Sequence, residues 1–281
     1  MNETIITYEP DNSLRKGYCS IFSEIFNELK KNRWLTYQLF KRDFLAVYKQ
    51  SFVGSFWALI IPLVSVGTFI ILNRSGIFNI GDIDVPYPIY AILGMAFWQL
   101  FSTGLIASAN SLVAAGTMIT KINFSKKSLV IASLGRSIVS FLIQFILVIL
   151  LFVCYGITPS PAILLLPIII IPILLLTVGL GFIASLVNGV VRDIGNILGL
   201  LLTFLMFLTP VLYAKPKIGI LASASKYNPL YYLVSAPRNL VLTGSNSELS
   251  GFFITSVIAI IIFITCLIIF HLTETRVAER I

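Results

Sequence analysis

Charge is what this chain has least of. Only 11% of its 281 residues are Asp, Glu, Lys or Arg, while 57% are hydrophobic and the mean hydropathy is +0.95. Soluble domains carry about 25% charged residues, so these side chains cannot cover a water-facing surface, and the chain reads as an integral membrane protein. Histidine occurs once, at His271, which excludes a His-based zinc site and a His-containing catalytic triad. There is no Gly-Lys dipeptide, so no GxxxxGK[ST] loop can cradle a phosphate and no ATPase site is expected. Cys19, Cys154 and Cys266 have neither metal-ligand nor disulfide-framework spacing. No acidic residue lies at mid-depth in an apolar run. Proton- and sodium-coupled carriers use such groups, so transport by this chain would be driven from outside it. No cofactor and no metal are expected. The first 33 residues are polar and are expected to hold no cleavable signal peptide.

What is abundant is long charge-free runs. None of the residues between Lys49 and Arg74, or between Asp84 and Lys121, is charged. Ser137 to Val191 is 55 residues without a charge, far beyond the ~20 that one spanning helix needs. Turn chemistry at Tyr155-Gly156-Ile157-Thr158-Pro159-Ser160-Pro161 divides that run in two. The fold class expected is therefore an all-α integral membrane protein with six transmembrane helices, at about 52–72, 88–112, 129–154, 162–187, 195–214 and 250–271. Prolines 62, 167, 172 and 210 fall inside these spans and are tolerable where neighbours satisfy the freed carbonyls. Residues 1–51 and 272–281 form an N-terminal segment and a tail.

The net charge of +8 would suggest nucleic acid in a soluble protein. Here fifteen of the twenty Lys and Arg residues fall on one side of the six-span topology, and the other side holds Arg74, Lys215, Lys217, Lys226 and Arg238. The positive-inside bias puts both termini in the cytoplasm, and no nucleic-acid partner is expected.

Two apolar stretches do not fit as spans. Residues 28–49 place Tyr37, Phe40, Phe44, Val47 and Tyr48 on one helical face, with Lys31, Arg42 and Lys49 opposite. That pattern predicts an amphipathic helix in the cytoplasmic interface; packing against protein is the alternative. Residues 215–249 contain an apolar run, Leu230 to Leu242, broken by Pro237 and Arg238. It predicts one or two short re-entrant helices, a candidate outer gate.

Four local patterns resemble the permease subunits of bacterial ABC exporters for polysaccharides, the ABC type 2 permeases of O-antigen, teichoic acid and capsule export. Arg42-Asp43 followed by Tyr48, Ser51, Gly54, Trp57 and Pro62 is similar to that family's approach to its first span. Ile119-Thr120-Lys121-Ile122-Asn123-Phe124-Ser125-Lys126-Lys127 resembles its first cytoplasmic loop. Asn188 followed by Val191-Arg192-Asp193-Ile194, and Asn228-Pro229-Leu230 with Arg238 downstream, complete the set. Their order and spacing match along nearly the whole chain. The chain departs from the family at Leu45 and Val47, where bases are frequent, and at Ser125, where proline is usual.

The resemblance implies two copies of this permease with two copies of a separate cytoplasmic ATPase, which would hold the ATP and magnesium. It also implies export of a glycan carried on polyprenyl pyrophosphate. On that basis Lys121, Lys126, Lys127, Arg192 and Asp193 are candidates for coupling to the ATPase, and a local salt bridge or ordinary positive-inside charge is the other reading. Arg42 and Lys49 are candidates for the carrier headgroup. Sugars stack their C–H faces on rings, so Phe52, Phe56, Trp57, Phe97, Trp98, Phe101, Phe204, Phe207 and Tyr213 are candidates for the substrate path, against core packing or an interfacial belt. Tyr227, Asn228, Pro229, Tyr231, Tyr232 and Arg238 are the outer-gate candidates. Two rival classes remain: an ABC export permease for drugs or other lipophilic molecules, and a membrane-embedded transferase. The transferase would have only Asp82 and Asp84 as a close acidic pair outside.

Overall fold

The computed structural model describes residues 18–49, 57–76, 81, 83–116, 125–191, 193–216, 218–245 and 247–278, with backbone alone at 18–21, 44–49, 58 and 275–278. The described residues form helices and connecting turns, with no strand. In chain order they are α1 (Tyr18–Lys31), α2 (Arg33–Lys49), α3 (Trp57–Arg74), α4 (Tyr87–Ala114), α5 (Lys126–Ser133) and α6 (Gly135–Tyr155). A 3-10 turn (Pro161–Leu165) leads into α7 (Leu166–Ile169), α8 (Ile171–Val190), α9 (Ile194–Leu208), α10 (Ile220–Tyr227), α11 (Pro229–Thr243) and α12 (Leu249–Ala278).

Among the described residues four stretches are long and apolar enough to cross a bilayer: Tyr87–Ala114, Lys126–Tyr155, Pro161–Val190 and Leu249–Glu274. The shortest holds 26 residues, about 39 Å of helix against a hydrocarbon core of about 30 Å. They fall where the second, third, fourth and sixth spans were expected. Of the expected first span, 52–72, the described part is α3, which runs on to Arg74. The fifth span is shorter than expected, α9 ending at Leu208, six residues before 214. The cause is Pro210: it lacks an N–H to continue the ladder and forces the preceding residue out of the helical region, and Thr209 has ψ 119°. Pro167 and Pro172, expected inside a span, sit in the first turns of α7 and α8, where a missing N–H costs nothing.

α4 is the central helix. Ile89 through Trp98 is buried without interruption, and α4 packs on α6, α8 and α11 while α8 also packs along α12. Close approach is permitted by small residues, as in other membrane bundles. A Cβ added at Gly179 would lie 2.8 Å from the Phe263 Cα on α12, and one at Gly181 would lie 2.5 Å from the Ser108 Cβ on α4. Polar side chains bridge the same helices. Gln144 Nε2 on α6 donates to Gln99 Oε1 on α4 at 2.6 Å.

The single interface helix expected over 28–49 is two, α1 and α2, meeting at Asn32. α2 docks on α5 and α6. It turns Leu35, Leu39 and Phe40 onto the protein and leaves Trp34, Tyr37 and Lys41 exposed. Tyr37 and Phe40 therefore do not share one outward face as expected. Phe40 is held inward because its ring lies over Gly135, where any Cβ would clash at 2.4 Å. Over 215–249 the described residues hold two short helices, α10 and α11. Asn228 caps α11 by accepting from Leu230 N at 3.0 Å, Pro229 occupies its first turn, and Gly244, at φ 69°, closes it.

Candidate functional site

Chemistry concentrates at the two ends of α4. At its first turn the chain break after α9 exposes four consecutive carbonyls, and three side chains collect them. Arg238 Nη1 donates to Val211 O at 2.8 Å and to Pro210 O at 3.3 Å. Tyr87 Oη donates to Leu212 O at 2.9 Å, and Tyr90 Oη donates to Tyr213 O at 3.2 Å. The Arg238 guanidinium also lies 3.8 Å above the Tyr90 ring. Arg238 is buried, with its charge held by carbonyl dipoles and a π face. Gly94 makes room: a Cβ there would meet Val211 O at 2.5 Å and Arg238 Nη1 at 3.0 Å.

Around this knot, Asn228 Nδ2 donates to Thr209 Oγ1 at 2.8 Å and so ties the start of α11 to the end of α9. Tyr213 Oη donates to Phe207 O. Tyr231 is buried, donates to Glu248 Oε1 at 2.8 Å, and lies beneath the Lys215 ammonium, 4.6 Å from its ring centre. Tyr227 is 81% exposed. Of the outer-gate candidates, then, Asn228, Pro229, Tyr231 and Arg238 are framework, and Tyr227 alone presents its ring outward. Tyr232 donates to Lys226 O at 2.9 Å.

At the far end of α4, Asn188 on α8 makes three hydrogen bonds. Its Nδ2 donates to Ala109 O and to Asn110 Oδ1, both at 3.0 Å, and its Oδ1 accepts from Gly195 N at 3.1 Å. The start of α9, at Gly195, is thereby tied to α8 and α4. Asp193 is exposed and begins α9 through its backbone carbonyl, which accepts from Asn196 N and Ile197 N. Close by, Lys127 on α5 is completely buried. Its ammonium donates to Glu28 Oε2 on α1 at 2.8 Å and to Glu274 Oε1 on α12. His271 Nδ1 lies 3.5 Å from Glu274 Oε1, and its Nε2 lies 4.0 Å from Glu24 Oε2. Burial pushes the Glu28 carboxyl up, but attraction and hydrogen bonding from Lys127 outweigh it and hold the group below its ordinary 4.5.

The sequence candidates divide accordingly. Lys121, Arg192, Phe52 and Phe56, and the Lys49 side chain, lie outside the described residues. Lys126 is half-buried, whereas Lys127 is fully engaged inside the subunit, so its ammonium is not offered to an ATPase surface. Arg42 is exposed and pairs with Asp43 at 2.8 Å. Phe97 and Phe101 are corrected to core. Both are enclosed within the subunit, Phe97 against Phe141 at 5.4 Å and Phe101 against Trp98 at 5.9 Å, with no face left for a sugar. Tyr213 is likewise buried. Trp57, Phe204 and Phe207 are exposed, the two phenylalanines on a face of α9 that also presents Ile197, Leu200 and Leu201.

Sequence reasoning missed Tyr87, Tyr90, Glu28, Glu274 and Asn110. Only the tyrosines had a local signal, an i,i+3 aromatic pair on the first turn of a span. Among the described residues one group, Glu28, His271 and Glu274, has metal-ligand chemistry within 4.8 Å. The Lys127 ammonium already bonds both carboxylates, so the place of a cation is taken.

This arrangement, an apolar bundle with a knotted break at one end and clamped turns at the other, has relatives along most of its length. The O-antigen export system permease protein RfbA of Myxococcus xanthus is 29% identical over 193 residues, covering 67% of this chain and 72% of the relative. Two proteins of that name from Klebsiella pneumoniae are 26% and 27% identical over 243 residues, covering 85% of this chain and 91% of each relative. Residues 35–242, from α2 to the end of α11, match the ABC-2 type transporter family, and the chain belongs to that family.

Proposed function

We propose that this chain is the membrane permease subunit of an ATP-driven exporter. Its cargo is an O-antigen-like polysaccharide on a polyprenyl pyrophosphate carrier, moved across the cytoplasmic membrane. The observation that carries the reading is the collinear similarity to O-antigen export permeases over 85% of this chain. The chain lacks a P-loop, so a separate cytoplasmic ABC ATPase supplies the energy, two copies of it serving two copies of this permease. All six apolar helices span in this reading, with α3 and α9 as the first and fifth spans and both termini cytoplasmic.

The path runs between two copies rather than through one. Support comes from α9, where Ile197, Leu200, Leu201, Phe204 and Phe207 are exposed and Leu202 is the one buried residue. A helix so little used by its own subunit suits an interface with a second copy, and its rings offer a sugar chain weak, repeated stacking. Arg42 and the exposed Trp34 and Tyr37 of α2 suit a headgroup-level surface where an anionic carrier enters. The first cytoplasmic loop, with Lys121 and Lys126, and the Arg192-Asp193 pair serve as the contacts with the ATPase.

The test is deletion of the chain in its host and complementation with the chain plus its ATPase. Loss of surface glycan with accumulation of lipid-linked glycan inside the cell, restored only by both proteins together, is the expected result. Normal surface glycan in the deletion strain overturns the reading.

A further inference from the structure

The buried Lys127 cluster joins three elements far apart in the chain. α5 begins at Lys126, after Ser125, and Lys127 lies in its first turn. One carboxylate on the ammonium comes from α1 and the other from α12. The charges facing this point are Glu24 and Glu28 from α1, Lys127 from α5, and His271 and Glu274 from α12. Behind them an apolar cluster repeats the same connection, with Ile25 of α1, Leu129 and Val130 of α5, Phe182 of α8, and Leu267 and Phe270 of α12. Phe182 and Phe270 are in ring contact at 4.8 Å.

Burying an ammonium is costly, and two carboxylates repay that cost only when both are held in place. Such pairs are poor evidence for stability and better evidence for a fixed arrangement of the elements that carry them. Here the arrangement matters because α5 opens the Lys126–Tyr155 stretch: Leu134 keeps the helical conformation (φ −61°, ψ −21°) and its carbonyl accepts from Ile138 N at 3.0 Å, so α5 runs on into α6. Tied at its first turn to α1 and α12, this end of the span cannot move without carrying both.

We infer that Lys127 is a positioning residue: through Glu28 and Glu274 it makes the start of α5, the N-terminal helix and the end of the last span one rigid body. A push at the start of α5 is then delivered to α1 and α12 together with α6. The inference rests on the exporter reading above, because it assigns the push to an ATPase. It adds two residues, Glu28 and Glu274, that lie outside the 35–242 family match.

The experiment uses the full permease–ATPase complex in proteoliposomes and reads ATP hydrolysed per glycan exported. Lys127→Met raises that ratio about tenfold, within the range of coupling free energies between linked sites, while the ATPase still co-purifies. Lys127→Arg and the exchange Lys127→Glu with Glu274→Lys each restore part of the coupling. The neutral triple variant Lys127→Met, Glu28→Gln, Glu274→Gln controls for folding: it recovers the membrane abundance of a well-packed protein but stays uncoupled. A wild-type ratio in Lys127→Met overturns the proposal, as does full coupling in the triple variant or loss of ATPase co-purification in Lys127→Met. If the wild-type complex shows no ATP-driven export, the exporter reading fails. Amide exchange of α1 in the wild-type and Lys127→Met chains then still decides whether the three elements move together.

Discussion

The Arg238 guanidinium lies 3.8 Å above the Tyr90 ring and 2.8 Å from the carbonyl of Val211, so one side chain both packs on α4 and holds the broken end of α9. Backbone that leaves its helix inside an apolar bundle must have its polar groups satisfied by protein. Residues 210–213 meet that requirement through Arg238, Tyr87 and Tyr90. Arg238→Met strips two carbonyls of their donor, and the expected loss is about 3 kcal/mol, read as a lower unfolding temperature of the detergent-purified protein. Arg238→Lys does not restore it, because a compact ammonium cannot form the fork and lie flat on the ring together.

The same knot sets a steric limit at Gly94. Alanine there puts a methyl group 2.5 Å from the Val211 carbonyl, which must move and pull away from Arg238. Gly94→Ala is expected to destabilise by about 1–3 kcal/mol. Gly67→Ala, where nothing lies within 4 Å, leaves the unfolding temperature unchanged. Thermal unfolding of the two variants side by side checks the contrast.

Much of this was legible before the fold was known, and the limit has a physical cause. The spans at 87–114 and 161–190 lie close to the expected 88–112 and 162–187 because charge-free runs, Gly156 and Ser160 are local signals. Pro210 marks the end of α9 locally. What was not legible is where the freed carbonyls find donors, since Tyr87 and Tyr90 lie 125 and 123 positions from Leu212 and Tyr213, which they reach. Lys127 reads from sequence as a coupling candidate or an ordinary positive-inside charge, since the carboxylates that bury it are 99 and 147 positions distant. Residue type and spacing placed the aromatic rings on helices but did not say which face turns inward. Phe97 therefore looked no different from Phe204 until the packing of α4 was known.

That difference yields a prediction that separates path from packing. Phe97→Ala empties a site with no exposure and is expected to cost about 3–5 kcal/mol through the cavity it leaves, seen as reduced abundance and a lower unfolding temperature. Phe204→Ala and Phe207→Ala act on exposed rings. They are expected to leave the unfolding temperature of the detergent-solubilised chain within a degree or two, while slowing glycan export in the complete complex. Surface glycan measured against membrane abundance distinguishes the two effects.

Acid should loosen α1. Glu28 has a carboxyl held below its ordinary 4.5 in the folded protein, so the folded state binds its proton less readily than the unfolded chain does. The contribution of Glu28 is thus fully present above pH 4.5 and lost as the pH falls through the lowered folded value. Unfolding temperature is expected to hold steady, as far as this group is concerned, from neutral pH down to 4.5, and to fall below it. In Glu28→Gln that acid-side fall shrinks, which a pH series of thermal unfolding on both proteins would reveal.

Asn188 offers the most direct probe of how the first turn of α9 is held. Its amide reaches α4 at two points and receives the N–H of Gly195, so the side chain spans α8, α4 and the first turn of α9. Asn188→Asp keeps the acceptor for Gly195 but replaces the donor with an anion facing two oxygens, and Asn188→Ala removes both. Each loses bonds made by the buried Asn188 side chain, worth about 1–3 kcal/mol, with the aspartate variant the worse because its charge meets Ala109 O and Asn110 Oδ1. Pairing Asn188→Asp with Asn110→Asp should deepen the defect, since two carboxylates then oppose each other at hydrogen-bond distance. Cysteines placed at Asn196 and in α4 should cross-link less efficiently in Asn188→Ala than in the parent if the clamp holds the turn. Equal cross-linking would show that the turn is held by other contacts.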